Sequence, residues 1–275
     1  MFRKCCMALG VVALSFFLFT ARSTDVSAQY EPLRAEIDAL CAQDTLAYHY
    51  DMGYDGSREA GDVRYAGGNW YCATNRYTTN EYLGYEGAYY VRNRDPQFTS
   101  AGSDAWFAVP PDTPGYNCEE RTGLYDLVSH LPEAGDLNKV ETNGAQTIFS
   151  YSRAALKALQ EAEIERLETL AAQTPEDEDP FVRDSIQKWL DMARHTAFTG
   201  GTLTINKNGD GLNSIRLELI VEANEFDLDR DGNFIWSDKK ESTVYESSVT
   251  VIGLAPDVIR RQIADAAALP MLPAE

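Results

Sequence analysis

The sequence predicts an α+β fold: an N-terminal helix and a Tyr/Gly-rich region of short strands, then a helical hairpin, then a C-terminal antiparallel β-meander with a closing helix. Three observations predict it. Apolar residues recur at helical spacing over residues 31–47, 150–172 and the segment after Pro180. Tyrosine, tryptophan and phenylalanine crowd residues 48–116, where glycines break the chain into short pieces. From Ile215 the period changes to two: Ile215, Leu217, Leu219, Val221 and Ala223 alternate with Arg216, Glu218, Glu222 and Asn224.

The elements follow in order. Leu33, Ile37, Leu40 and Cys41 mark one face of the first helix, with Pro32 at a position suited to a first turn. In the aromatic region, Asn69–Cys72, Glu86–Arg92 and Ala105–Val109 are strand candidates, and Pro110-Pro111 and Pro114-Gly115 mark turns. Leu124–Leu131 reads as a short helix. Ser150 or Ser152 caps the longest helix, which carries Leu156, Leu159, Ile164, Leu167 and Leu170 and stops at Thr174-Pro175. Asp179-Pro180 opens the next, with Val182, Ile186, Trp189, Leu190 and Ala193 on one face. The short link between these two helices implies an antiparallel hairpin. Thr202–Asn206, Phe234–Trp236 and Thr243–Ile252 complete the meander, and Pro256–Ala268 closes the chain as a helix.

Residues 1–28 read as a secretory signal peptide. Arg3 and Lys4 precede an apolar run from Met7 to Phe19, too short for a span of about 20 residues, and Val26-Ser27-Ala28 places cleavage after Ala28. The expected organisation is 1–28 signal, 29–140 aromatic region with a disulfide, and 141–275 helical hairpin, sheet and closing helix; the last two can form one domain. The expected location is exported, periplasmic or extracellular, with no membrane span after cleavage.

Export favours a disulfide among Cys41, Cys72 and Cys118. Cys72 with Cys118 is the preferred pair, because both lie in irregular Gly/Pro-rich sequence. Cys41 then serves as a small hydrophobe on a helix face.

Lys+Arg number 24 and Asp+Glu 43 among 275 residues, a formal net charge of −19. That field opposes binding to nucleic acid through phosphate neutralisation. It attracts divalent cations, and one segment has the spacing to hold one. Asp227, Asp229 and Asp231 fall on alternate residues, Gly232 follows, then Asn233, and Asp238 stands twelfth. This segment resembles an EF-hand-type calcium loop. Calcium takes six to eight hard oxygens, and alternate carboxylates converge only where the backbone curls. The resemblance implies side-chain ligation by Asp227, Asp229 and Asp231, a carbonyl from Asn233, and closure by Asp238. The flanks read as strands, so a calcium loop on a hairpin and an ion-free Asp-Gly hairpin tip both stay open.

His49, His130 and His195 form no zinc-hydrolase motif, and no nucleophile elbow, Walker-A loop or dinucleotide fingerprint is present. His195 falls near a helix end, where a cation suits the dipole. The aromatic region gives the other lead. Trp70, Tyr71, Tyr89, Tyr90 and Trp106 are candidate anchors for a polysaccharide or protein partner, since rigid rings with a polar edge make good contact surfaces; the competing role is core. The functional expectation is an exported acidic binding protein, calcium included, leaning away from enzyme. The alternative is a secreted hydrolase whose catalytic carboxylates no spacing singles out.

Overall fold

The computed structural model describes residues 25–54, 56–75, 80–93, 105–109, 122–175, 180–209, 211–230 and 232–272. Helix α1 (Val26–Cys41) leads into β1 (Thr45–Tyr54), β2 (Ser57–Ala66), β3 (Asn69–Thr74), β4 (Asn80–Tyr85), β5 (Ala88–Asn93) and β6 (Trp106–Ala108). Helix α2 (Leu124–Ser129) and a 3₁₀ turn (Ala134–Asp136) precede β7 (Leu137–Asn143) and β8 (Gln146–Tyr151). The helical pair is α3 (Arg153–Gln173) and α4 (Pro180–Arg194). The chain then makes β9 (Thr196–Asn208), β10 (Gly211–Leu228), β11 (Phe234–Val251), α5 (Pro256–Ala267) and β12 (Met271–Leu272).

These strands form one twelve-stranded sheet in the order β12-β6-β5-β4-β3-β2-β1-β11-β10-β9-β8-β7. Every pairing is antiparallel except β12 on β6, so the sheet is mixed. About 49% of the described residues are strand and 34% helix. This corrects the predicted α+β class: the protein is largely a β-sheet protein, with its few helices laid on a single sheet. The pairing of β1 with β11, from Tyr48 opposite Val251 to Tyr54 opposite Tyr245, carries the sheet across the two halves of the sequence. Partners some 200 residues apart leave no local pattern to read.

Local chemistry explains the helices. Ser152 Oγ accepts from Ala155 N at 3.1 Å and caps α3. Asp25 accepts from Ser27 N and Ala28 N, so α1 starts ahead of the expected position, with Pro32 inside it and Tyr30, Ile37 and Leu40 buried. The helix therefore runs through the expected cleavage point after Ala28; residues 1–24 lie outside the described residues.

The two faces of the sheet carry separate cores. On one face, Leu46, Tyr48, Tyr50, Leu217, Leu219 and Val221 pack with α1, α2 and α3. On the other, Ala47, Leu83 and Trp106 pack beneath Ile259 and Ile263 of α5. Strand β4 is covered on both sides, so Tyr82 and Leu83 are both buried. Glu81 and Arg92, also buried, pair with each other, and Tyr71 donates to Glu81 Oε1 at 2.6 Å.

Trp70 crosses β3 onto β4 so closely that an added Cβ at Gly84 would lie 2.2 Å from its Nε1. Gly84→Ala is expected to cost about 1–3 kcal/mol in denaturant titration, as overpacked sites do. Gly135→Ala, with open space around it, is expected to stay within about 0.5 kcal/mol of the parent.

Candidate functional site

The acidic turn at the end of the β10–β11 hairpin is closed by its own residues. Asp229 Oδ1 accepts from Asn233 N at 2.8 Å and Oδ2 from Asn233 Nδ2 at 2.9 Å, while Asp229 N donates to Asn233 O at 3.0 Å. Asp227 lies within β10 opposite Ile235. Asp238 lies on β11, five residues past Asn233 on an extended path of about 16 Å, whereas in a calcium loop the twelfth residue folds back. Asp231 lies outside the described residues. Among the described residues no group of three or more His, Cys, Asp or Glu converges.

The five aromatic anchor candidates are divided by the sheet. Trp70 is buried in the core of the face that also carries α1 and α2, with Tyr89 half-buried against it, ring centroids 5.6 Å apart. Trp106 is fully buried on the opposite face, with Tyr71 and Tyr90 half-buried there. Trp106 Nε1 donates to Ala266 O of α5 at 2.8 Å. These rings do not share one surface. Cys72 is buried on β3, and Cys118 lies outside the described residues.

A cleft of about 590 Å³ opens instead between α2, α3 and the sheet. Tyr54 at the end of β1, Phe198 on β9, Leu219 on β10 and Tyr245 on β11 form its floor; Leu159 and Ala162 of α3 form one wall. Asp126, Ser129 and His130 come from α2 and its end, and Glu163 and Arg166 stand on α3. Its size is that of a small-ligand site, with an apolar floor and a few polar groups. Tyr54 and Tyr245 contact at 5.3 Å with their planes 60° apart. Tyr54 is 45% exposed.

The polar groups are mutually oriented. Tyr245 donates its hydroxyl to Asp126 Oδ2 at 3.0 Å. Arg166 grips Glu163 through Nε and Nη2, each at 2.8 Å from a separate carboxylate oxygen. Both Ser129 Oγ and His130 Nδ1 approach the Asp126 carbonyl oxygen, at 2.7 and 2.8 Å. A ring nitrogen facing a carbonyl oxygen carries the hydrogen, so Nδ1 donates there. Ser129 Oγ also lies 3.2 Å from His130 Nδ1, but its hydrogen goes to the helix-end carbonyl of Asp126.

Tyrosine hydroxyls hold α2 in place. Tyr48 donates to Thr122 O at 2.9 Å, Tyr151 to His130 O at 2.9 Å, and Tyr30 to Pro132 O at 2.6 Å. Burial pushes the Tyr30, Tyr151 and Tyr245 hydroxyls above their ordinary value of 10.0. For Tyr245 the Asp126 charge adds to burial. Tyr54 is likewise raised, by burial and then by the charge of Glu163.

Sequence reading did not assemble this cleft, because its residues come from six elements with no common spacing. Tyr54 stood among many tyrosines, and His130 was one of three isolated histidines. Neither a protein-family model nor a curated protein matches the chain in sequence. Among the described residues, no helix is long and apolar enough to cross a membrane.

The tyrosine donors set an alkaline limit. Their folded values lie above the unfolded 10.0, so the fold binds more protons than the unfolded chain once pH passes about 10. Stability is therefore expected to be unaffected by these groups below that pH and to fall above it. Denaturant melts between pH 8 and 11.5 check this, and a Tyr151→Phe/Tyr245→Phe variant is expected to show a weaker alkaline slope.

Proposed function

We propose that the chain is an exported acidic binding protein with no catalytic task, and that the cleft between α3 and the sheet takes its ligand. The observation that supports this most is the lining itself. Leu159, Phe198 and Leu219 offer an apolar floor, while Asp126, His130, Glu163 and Arg166 gather on the α2 and α3 sides. Such a division suits an amphipathic small molecule whose body lies on the sheet and whose polar end meets the helices. Phe198 also lines a second, more apolar hollow with Leu156 and Ala197.

Aromatic binding enters this reading through Tyr54 and Tyr245. A sugar ring is the competing occupant, because stacking on tyrosine combined with carboxylates is chemistry that saccharides share. Calcium at Asp227, Asp229, Asp231, Asn233 and Asp238 is a separate part of the proposal, supported by the acidic spacing alone; the tip would have to release the Asp229–Asn233 hydrogen bonds to close on an ion.

The test uses the neutral apolar dye N-phenyl-1-naphthylamine, whose emission rises in an apolar site. Saturable binding to one site is expected. Ala162→Trp, a change at an exposed position of α3 on the cleft wall, is expected to weaken it at least about tenfold, a loss of roughly 1.4 kcal/mol. Soluble oligosaccharides are expected not to displace the dye. Equal binding by parent and Ala162→Trp would sink the assignment of the cleft.

A further inference from the structure

We infer that the ligand of the α2–α3 cleft is an amphipathic organic cation, its ammonium or amine group seated against the contacting rings of Tyr54 and Tyr245 and beside the carboxylate of Asp126; this rests on the cleft being the ligand site. Three observations lead there. The rings of Tyr54 and Tyr245 meet at 60° and 5.3 Å, and both line the cleft. Tilted aromatic walls are the arrangement that attracts organic cations through the ring quadrupole. Asp126 uses Oδ2 to accept from Tyr245, which fixes the carboxylate beside that ring. Its Oδ1 is 4.0 Å from His130 Nδ1, beyond hydrogen-bond range, and that nitrogen is committed to the Asp126 carbonyl.

Charge settles the sign of the ligand. The described lining holds two carboxylates, Asp126 and Glu163, against one permanent cation, Arg166, and one histidine, His130, whose ring lies 6.3 Å from that of Tyr245. Arg166 is already engaged by both oxygens of Glu163. An anionic head would have to displace that bidentate pair within a protein of net charge −19. A cationic head meets Asp126 directly and gains from the same field. The apolar floor of Leu159, Phe198 and Leu219 then seats an alkyl or aryl body.

The test is competition against N-phenyl-1-naphthylamine on the full chain by three probes with six-carbon chains: hexyltrimethylammonium, 1-hexanol and hexanoate. The cation is expected to displace the dye at a concentration at least about fivefold lower than the alcohol, a ratio in keeping with a partly desolvated cation–π and carboxylate contact, with hexanoate weakest. Asp126→Asn keeps an acceptor for Tyr245; with each probe's displacement referred to the variant's own dye affinity, it is expected to remove most of the cation's advantage over hexanol. Tyr54→Leu is expected to reduce that advantage as well, with parent-like circular dichroism as the control for folding. Equal or tighter binding of hexanol or hexanoate overturns the inference, as does an undiminished cation advantage in Asp126→Asn. If the dye still binds the parent and is lost from Ala162→Trp, such a result leaves the cleft assignment intact. If the dye binding is also indifferent to Ala162→Trp, both fall.

Discussion

Four tyrosine hydroxyls aimed at one short segment hold this molecule's working geometry. Helix α2 is only six residues long and could not persist alone, since one or two turns do not repay the cost of helix nucleation. It is kept in place because Tyr48, Tyr151 and Tyr30 donate to the carbonyls of Thr122, His130 and Pro132, and Tyr245 donates to the Asp126 side chain. The donors come from β1, β8, α1 and β11, so the segment is tied to both halves of the sheet. Each bond contributes about 1 kcal/mol net. A carbonyl left without its donor in this apolar setting would cost more than that. Leu124 and Leu127, both fully buried, add the apolar share.

This arrangement gives the abundance of tyrosine a physical reason. A sheet covered by helices needs large apolar side chains, but the chain segments crossing over it bring backbone carbonyls that water no longer reaches. A phenol fills both needs, with a ring in the core and a donor at its far end. Tyr50 does the same within the sheet, donating to Glu59 and lying 3.1 Å from Thr74 Oγ1. The cleft is what this scaffold leaves open, where α2 and α3 stand apart above Leu219 and Tyr245.

The sequence made some of this legible and concealed the rest for identifiable reasons. The helices α3, α4 and α5 lie where their caps and apolar spacing place them, because Ser152, Pro180 and Pro256 are local signals. The alternation from Ile215 to Val221 marks β10 because one face of that strand is buried and the other is not. The single sheet was hidden. β4 is buried on both faces and so shows no alternation. The edge strand β7 is mostly polar and exposed, and carries no strand pattern at all. The acidic spacing from Asp227 to Asp238 was visible, yet the spacing alone does not reveal that β11 starts at Phe234 and carries Asp238 away from the turn. The cleft was beyond reach for the same reason as the sheet: its two key tyrosines, 54 and 245, face each other only once β1 pairs with β11.

The measurement that bears most directly on this account is hydrogen–deuterium exchange of the full chain with and without saturating N-phenyl-1-naphthylamine. The account predicts added protection in α2, in α3 around Leu159–Arg166, and in the strands at Phe198, Leu219 and Tyr245, which together border the cleft. The exposed hydrophobic side chains of the hairpin end, Phe226, Leu228 and Ile235, are an apolar surface away from the cleft, as are Phe181, Trp189 and Met192 of α4. Protection confined to residues 226–236, with α2 and α3 unchanged, would contradict it.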